Sequence, residues 1–245
     1  MSHFLSKYSK VLIWVTIFSI AMGLLETAVV IYLRELMYPE GFKFPLTPIN
    51  PDIAITEVLR EAATVIMLLG IAMLTGKTRS ERFAWFLYSF AIWDIFYYVF
   101  LKLLINWPGS WLTWDILFLI PVTWVGPVIS PVIVALTMIL FALLIIYLHT
   151  KIERVGIKLF HWTFLIIGSL ILILAWTWDY SKYILQHYRF KEIWTMPDKN
   201  PLYELATQYI PQSFNWFLFW LGEIVIVAGI VVFYRNNISQ SAKNI

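Results

Sequence analysis

The chain contains no cysteine. That excludes disulfides, iron–sulfur clusters, thiol catalysis and cysteine-based zinc sites together. Charge is scarce too: Asp, Glu, Lys and Arg are 13% of the 245 residues, and 18 basic against 15 acidic side chains leave a net charge of +3. So weak and dispersed a charge offers no surface for nucleic acid. The four histidines, His3, His149, His161 and His187, are isolated in sequence, whereas a zinc or haem site needs grouped ligands. His149 and Glu153 are an i, i+4 pair in a basic loop and read as a surface contact. Serine-nucleophile signatures, acid-rich prenyl-diphosphate motifs and heptad repeats are missing. Gly70 to Thr78 looks like a phosphate-binding loop, but five residues separate Gly70 and Gly76 where that motif has four, and the segment follows an apolar helix instead of a strand. No motif ties the chain to a named family, and none specifies a cofactor or a metal.

What the sequence has in abundance is apolar surface. It is 60% hydrophobic, with a mean hydropathy of +0.75, far outside the range of soluble domains. The chain therefore reads as an all-α, polytopic transmembrane helical bundle forming a single membrane domain over residues 1–245. Apolar runs of roughly 20 residues, enough to cross about 30 Å of hydrocarbon, place six spans at about 11–33, 53–75, 83–105, 131–148, 159–178 and 214–234. Many of the 13 Trp and 13 Tyr fall at the ends of these runs, as expected of interfacial belts.

The connections differ in character. Met37 to Pro51 carries Pro39, Gly41, Pro45, Pro48 and Pro51, which forbid a regular helix; Asp52 then caps the second span. The basic groups Lys77, Arg79, Arg82 and Lys151, Arg154, Lys158 mark two short loops. Residues 179–212 form the longest polar loop, with an aromatic amphipathic piece from Tyr180 to Trp194 and a short helix begun by Asn200 and Pro201. Between Leu112 and His149 lie 38 nearly uncharged residues, interrupted by Pro121, Pro127 and Pro131. A re-entrant or interfacial proline-rich segment over Asp115 to Ser130 accounts for the excess length, with a proline-kinked helix as the alternative.

With six spans, ten of the 18 Lys and Arg fall on the side of the two termini, diluted there only by Glu81 and Glu153. The positive-inside rule then places both termini in the cytoplasm of a cell whose plasma (inner) membrane holds the chain. Asn237-Ile238-Ser239, a glycosylation triplet, falls on the cytoplasmic side.

The chemistry rests on charges within the spans, which cost roughly 3 kcal/mol each at mid-bilayer and therefore have a partner or a purpose. Asp94, Tyr97 and Tyr98 share one face of the third span at i, i+3 and i+4, with Lys102 on its flank. Glu57, Arg60 and Glu61 repeat that spacing on the second span. Glu26 lies two-thirds along the first, and Glu223 near the middle of the last. Of the acids that follow a tryptophan, Asp115 stands beside the proline-rich segment, whereas Asp179 reads as an interfacial residue. These positions predict an outward-facing polar pocket built by the first three spans and Asp115. Glu26, Glu61 and Asp94 are the candidate acid, base or catalytic groups, and Arg60, Tyr97, Tyr98, Lys102 and Asp115 the candidate ligand-binding groups. Glu61, Asp94 and Asp115 could also hold a hard divalent cation, though no spacing selects one. The partners implied are the lipid bilayer and a lipid or small-molecule ligand. Three functions fit: handling of a lipid or lipid-linked head group, proton-coupled transport of a small solute, or a structural subunit in which the charges serve assembly.

Overall fold

The structure, a computed structural model, describes residues 2–48, 50–118, 122–152, 155–189, 191–192 and 200–243. The expected roles of Pro121, Glu153, Arg154 and Trp194 fall outside those residues. In chain order the elements are α1 Ser2–Met37, α2 Pro51–Thr75, α3 Arg79–Ile105, strands β1 Trp114–Phe118 and β2 Trp124–Pro127, α4 Ile129–Leu148, α5 Leu159–His187, the short α6 Asn200–Thr207, and α7 Trp216–Lys243. Six helices, α1 to α5 and α7, are long and apolar enough to cross a membrane. Their outer faces carry large apolar side chains with no protein cover, such as Trp14, Leu74, Leu159 and Phe217, each more than two-thirds exposed. Surface of that kind is stable against lipid, not water. The chain is a membrane-spanning helical bundle.

Local signals set the helix ends. The N-cap of α2 is Asn50, not Asp52: the Asn50 side chain accepts from the Asp52 amide, and Pro51 occupies the first turn, where a missing N–H costs nothing. Thr78 and Glu81 form a reciprocal capping box that turns the chain from α2 into α3. Asn106, at φ 52°, ends α3 in the left-handed conformation. Two helices outrun their expected spans. With no Gly or Pro after Trp178, α5 continues to His187 and absorbs the start of the aromatic piece expected to lie apart. The polar tail continues α7 to Lys243, and Asn237 is buried there, bonded to both the amide and the carbonyl of Gly156.

Residues 114–118 and 124–127 are two strands, not part of a proline-kinked helix. The alternating Trp114, Asp115, Ile116 and Phe118 pair antiparallel with Pro127, Gly126, Val125 and Trp124, with an irregularity between Ile116 and Phe118. The prolines sit where a lost amide is tolerated, Pro127 at the strand end and Pro131 in the first turn of α4. The hairpin leans on α5: Trp176 stacks on Trp124 at 5.7 Å and donates from Nε1 to Ser130 Oγ at 2.9 Å. Gly126 permits this, since a Cβ there would lie 2.9 Å from the Trp176 ring.

The chain's two ends share one face of the bundle. The Tyr8 hydroxyl donates to Glu81 at the start of α3, and Asn236 contacts His161 at the start of α5. On this side Val15, Trp85, Phe141, Ile145, Ile146 and Phe233 make a continuous buried core. The opposite half, where α1 and α3 end and α2 begins, is not filled in this way. There the helices, the hairpin and α6 surround a cavity.

Candidate functional site

The cavity has a volume of about 510 Å³. Its charged residues come from α1 to α3 and from Asp115, the elements that the sequence pattern singles out, but the cavity is wider than those elements. The 38–47 loop contributes Tyr38 and Phe42, α4 contributes Pro131, Val134 and Met138, α5 contributes Trp176 and Tyr180, and α6 contributes Ala206 and Thr207.

Of the eight candidate residues, Glu26, Arg60, Glu61, Asp94, Tyr97, Tyr98 and Asp115 all line this cavity. Lys102 does not. It is exposed, and its ammonium donates to the carbonyls of Asn106 and Pro108, 3.4 and 3.0 Å away. Four residues after Tyr98, its long side chain reaches the unpaired carbonyls at the end of α3, the usual place for a cation. Glu223 is also outside the lining; it is buried between α7 and α4, where Thr137 donates to its Oε2 at 3.0 Å.

Two ion-pair groups frame the chamber. Arg60 on α2 donates twice to Glu57, one turn earlier, at 2.9 and 2.5 Å, and reaches across to Glu26 on α1. The three side chains are 20%, 12% and 10% exposed, so this group clips α1 to α2 in a largely desolvated place. Second, Arg34 near the end of α1 donates to Asp115 Oδ1 at 3.2 Å, and the Tyr98 hydroxyl donates to Oδ2 of the same carboxylate at 3.2 Å. The Arg34 guanidinium also lies over the rings of Trp107 at 3.9 Å and Phe42 at 4.6 Å. Asp115 stands on the hairpin, outside the spanning helices. Burial pushes its carboxyl up to about 6, against the opposing pull of Arg34, the Ile116 amide and Tyr98.

Asp94 differs from these acids. Midway along α3, it lines the cavity yet has no hydrogen bond or ion pair among the described residues. The charged groups that bear on it, Asp115 and Glu26, are both acidic. The Tyr97 hydroxyl, one turn on, has no hydrogen-bonding partner either among those residues. This face of α3 is held close to α1 at Gly23, where an added Cβ would lie 3.0 Å from the Trp93 carbonyl. Thr27 of α1 donates to the Tyr97 carbonyl at 3.1 Å.

Arg34, Trp93, Trp124 and Trp176 are site residues that sequence patterns do not reveal. Arg34 is visible only as a charge at the end of a span, and a tryptophan in such a chain reads as a belt residue. Their convergence depends on the hairpin folding back between α3 and α5, which no spacing encodes. The trio Glu61, Asp94 and Asp115 is not gathered into a metal-holding group: no cluster of three or more His, Asp or Glu suited to a metal ion occurs among the described residues.

A second polar cluster lies at the opposite face. His149 Nε2 is 2.9 Å from Ser80 Oγ, and its Nδ1 is 3.9 Å from Glu81, so His149 is not an isolated residue in the fold. The order serine, histidine, carboxylate suggests a nucleophile, but Ser80 is buried and donates to the Val155 carbonyl. The chamber does not reach it. With Tyr8 donating to Glu81 Oε1 at 2.5 Å and the Lys77 amide to Oε2 at 2.8 Å, the cluster ties α1, the α2–α3 turn and the α4–α5 loop together.

Fold and cavity together define a class: a multi-pass membrane protein with a polar chamber in one half of a helical bundle whose other half is packed shut. No protein-family model, curated protein or solved structure matches the chain.

Proposed function

We propose that this is a plasma (inner) membrane protein with both termini cytoplasmic, and that its chamber takes up the head group of a lipid or lipid-linked molecule on the outer side. The observation that carries this reading is the two-sided character of one cavity. Ionic groups on α1 to α3 face it together with an apolar and aromatic wall made by Val134, Met138, Trp124 and Trp176. A free polar solute has no use for the second surface, and a hydrocarbon has none for the first. In this reading the hairpin is a re-entrant element. Its backbone is paired within itself and covered by α5, which is the condition for non-helical chain at membrane depth. The Arg60 and Arg34 groups hold the chamber's shape. Asp94, with Glu26 and Glu61 near it, is the group left to meet a ligand or to exchange a proton with it. Proton-coupled transport would need a second opening, and the packed core around Trp85 and Phe141 speaks against one. The Arg60 clip is also what an assembly subunit would have, but such a subunit has no need of Asp94.

The reading is tested with a phospholipid carrying a diazirine near its head group, incorporated with the protein in nanodiscs and cross-linked by light. Cross-links are expected on peptides that line the chamber, such as those holding Trp93 or Val134, and Ala54→Trp, which narrows the chamber, should reduce them. Cross-links confined to the lipid-facing residues, unchanged by Ala54→Trp, would overturn it. Reporters fused at Ser80 and at the C-terminus should behave as cytoplasmic, and one near Asp198 as exported.

A further inference from the structure

Charge and hydrogen bonding within the chamber narrow the chemistry of its occupant. Among the described residues five carboxylates line it, Glu26, Glu57, Glu61, Asp94 and Asp115, against two guanidiniums, Arg34 and Arg60. Both guanidiniums are already engaged by carboxylates, Arg60 by two of them. Glu61 has a contact of its own; leaving it aside, the ionised groups of the described lining carry two negative charges in excess, so bringing in an anion would add repulsion in a place of low dielectric. The reverse holds for a cation. Asp94 has no partner among the described residues and offers two free acceptor oxygens. Trp93, Tyr97 and Tyr98 stand beside it on α3, with Trp124 and Trp176 on the facing wall. Tryptophan and tyrosine faces attract ammonium groups, and a carboxylate among such rings is the arrangement that recognises them.

A second set of groups points to the rest of the ligand. The indole Nε1 atoms of Trp93 and Trp124 and Nη1 of Arg34 are buried without a hydrogen-bond partner among the described residues, and all three residues line this chamber. A buried donor left unsatisfied keeps its desolvation penalty, which a ligand with acceptor oxygens would relieve. Trp93 is only 8% exposed, so bulk water does not serve it.

We infer that the chamber selects an amphiphile whose head group carries a positively charged ammonium, held by the Asp94 carboxylate among the aromatic rings, with acceptor oxygens next to it for the free N–H groups of Trp93, Trp124 and Arg34. This rests on the head-group reading above and adds to it the sign of the charge.

The test uses three probes of equal chain length kept below their micelle concentrations: hexyltrimethylammonium, hexyl phosphate and hexanol. Each is titrated into the intact protein in nanodiscs and followed by quenching or shift of tryptophan emission. The ammonium probe is expected to bind at least about tenfold more tightly than the other two. Asp94→Asn should remove most of that preference and Asp94→Glu should keep it, while Glu223→Gln, a carboxylate lost outside the chamber, should leave it unchanged. Tighter binding of hexyl phosphate, or equal binding of all three, would overturn the inference about charge and leave the head-group reading standing. If none of the three binds to wild-type protein, the head-group reading fails with it. A preference for ammonium that survives in Asp94→Asn and is lost in Glu223→Gln would also overturn the assignment to this chamber.

Discussion

Replacing Arg60 by Met tests whether the frame of the chamber is held as described. Met fills much of the same space but leaves Glu26 and Glu57 facing each other without their shared cation, in side chains only 10% and 12% exposed. Removing one partner of a buried ionic group costs roughly 3–5 kcal/mol, because the remaining charge stays desolvated. The chamber gives these groups some access to water, so the lower figure applies, about 3 kcal/mol. For a chain of this size that corresponds to a fall in Tm of roughly 6–12 °C. The assay is thermal unfolding of detergent-purified protein followed by tryptophan fluorescence, with gel filtration to confirm the starting state. The companion variant Glu26→Gln/Glu57→Gln/Arg60→Met removes the charges together and should recover at least half of the loss, since no ion is then left alone. If Arg60→Met is as stable as wild type, or if the triple variant is as damaged as the single one, the three groups are not an electrostatic unit.

Further outcomes follow from single contacts. Glu81→Gln should lower stability by about 1–3 kcal/mol, because a carboxylate accepting from Tyr8 and the Lys77 amide is replaced by an amide, and Tyr8→Phe should cost about 1 kcal/mol; equal stability of both to wild type in the same melts would contradict the cluster's tying role. Gly222→Ala should destabilise by about 1–3 kcal/mol, since its Cβ would lie 2.9 Å from the Gly168 carbonyl of α5, whereas Gly70→Ala, with open space around it, should be neutral or gain up to about 1 kcal/mol in thermal unfolding. Lys102→Gln should leave binding of every probe unchanged within error, because its ammonium serves backbone carbonyls outside the chamber; a severalfold loss of affinity would return it to the site.

How much of this was open to inspection in the sequence depends on the range of the interaction. Helical spacing placed Asp94, Tyr97 and Tyr98 on one face, and Glu57, Arg60 and Glu61 on another, because one helix fixes those relations by itself. Length and hydropathy found six spans for the same reason. The partner of Arg34 was hidden, since Asp115 reaches it only after the hairpin folds back across 81 residues of chain. The strands were not legible: the prolines fit a re-entrant or interfacial segment or a kinked helix, and runs of four or five residues carry too little periodicity to reveal strand pairing. For Lys102, a position on the flank of the face does not say which way a long side chain leans, and here it leans to the carbonyls of Asn106 and Pro108. His149 read as isolated because Ser80 and Glu81 are some 70 residues away in sequence and adjacent only across the loops.

In the proposed function a head group occupies the chamber at Asp94. Native mass spectrometry of wild-type protein released from lipid nanodiscs, beside Asp94→Asn, tests it most directly. A mass retained by the wild type and lost or strongly reduced in the variant, with the fold intact, is the predicted result, and the retained mass would identify the ligand. Wild type and Asp94→Asn both empty and equally stable would contradict the claim.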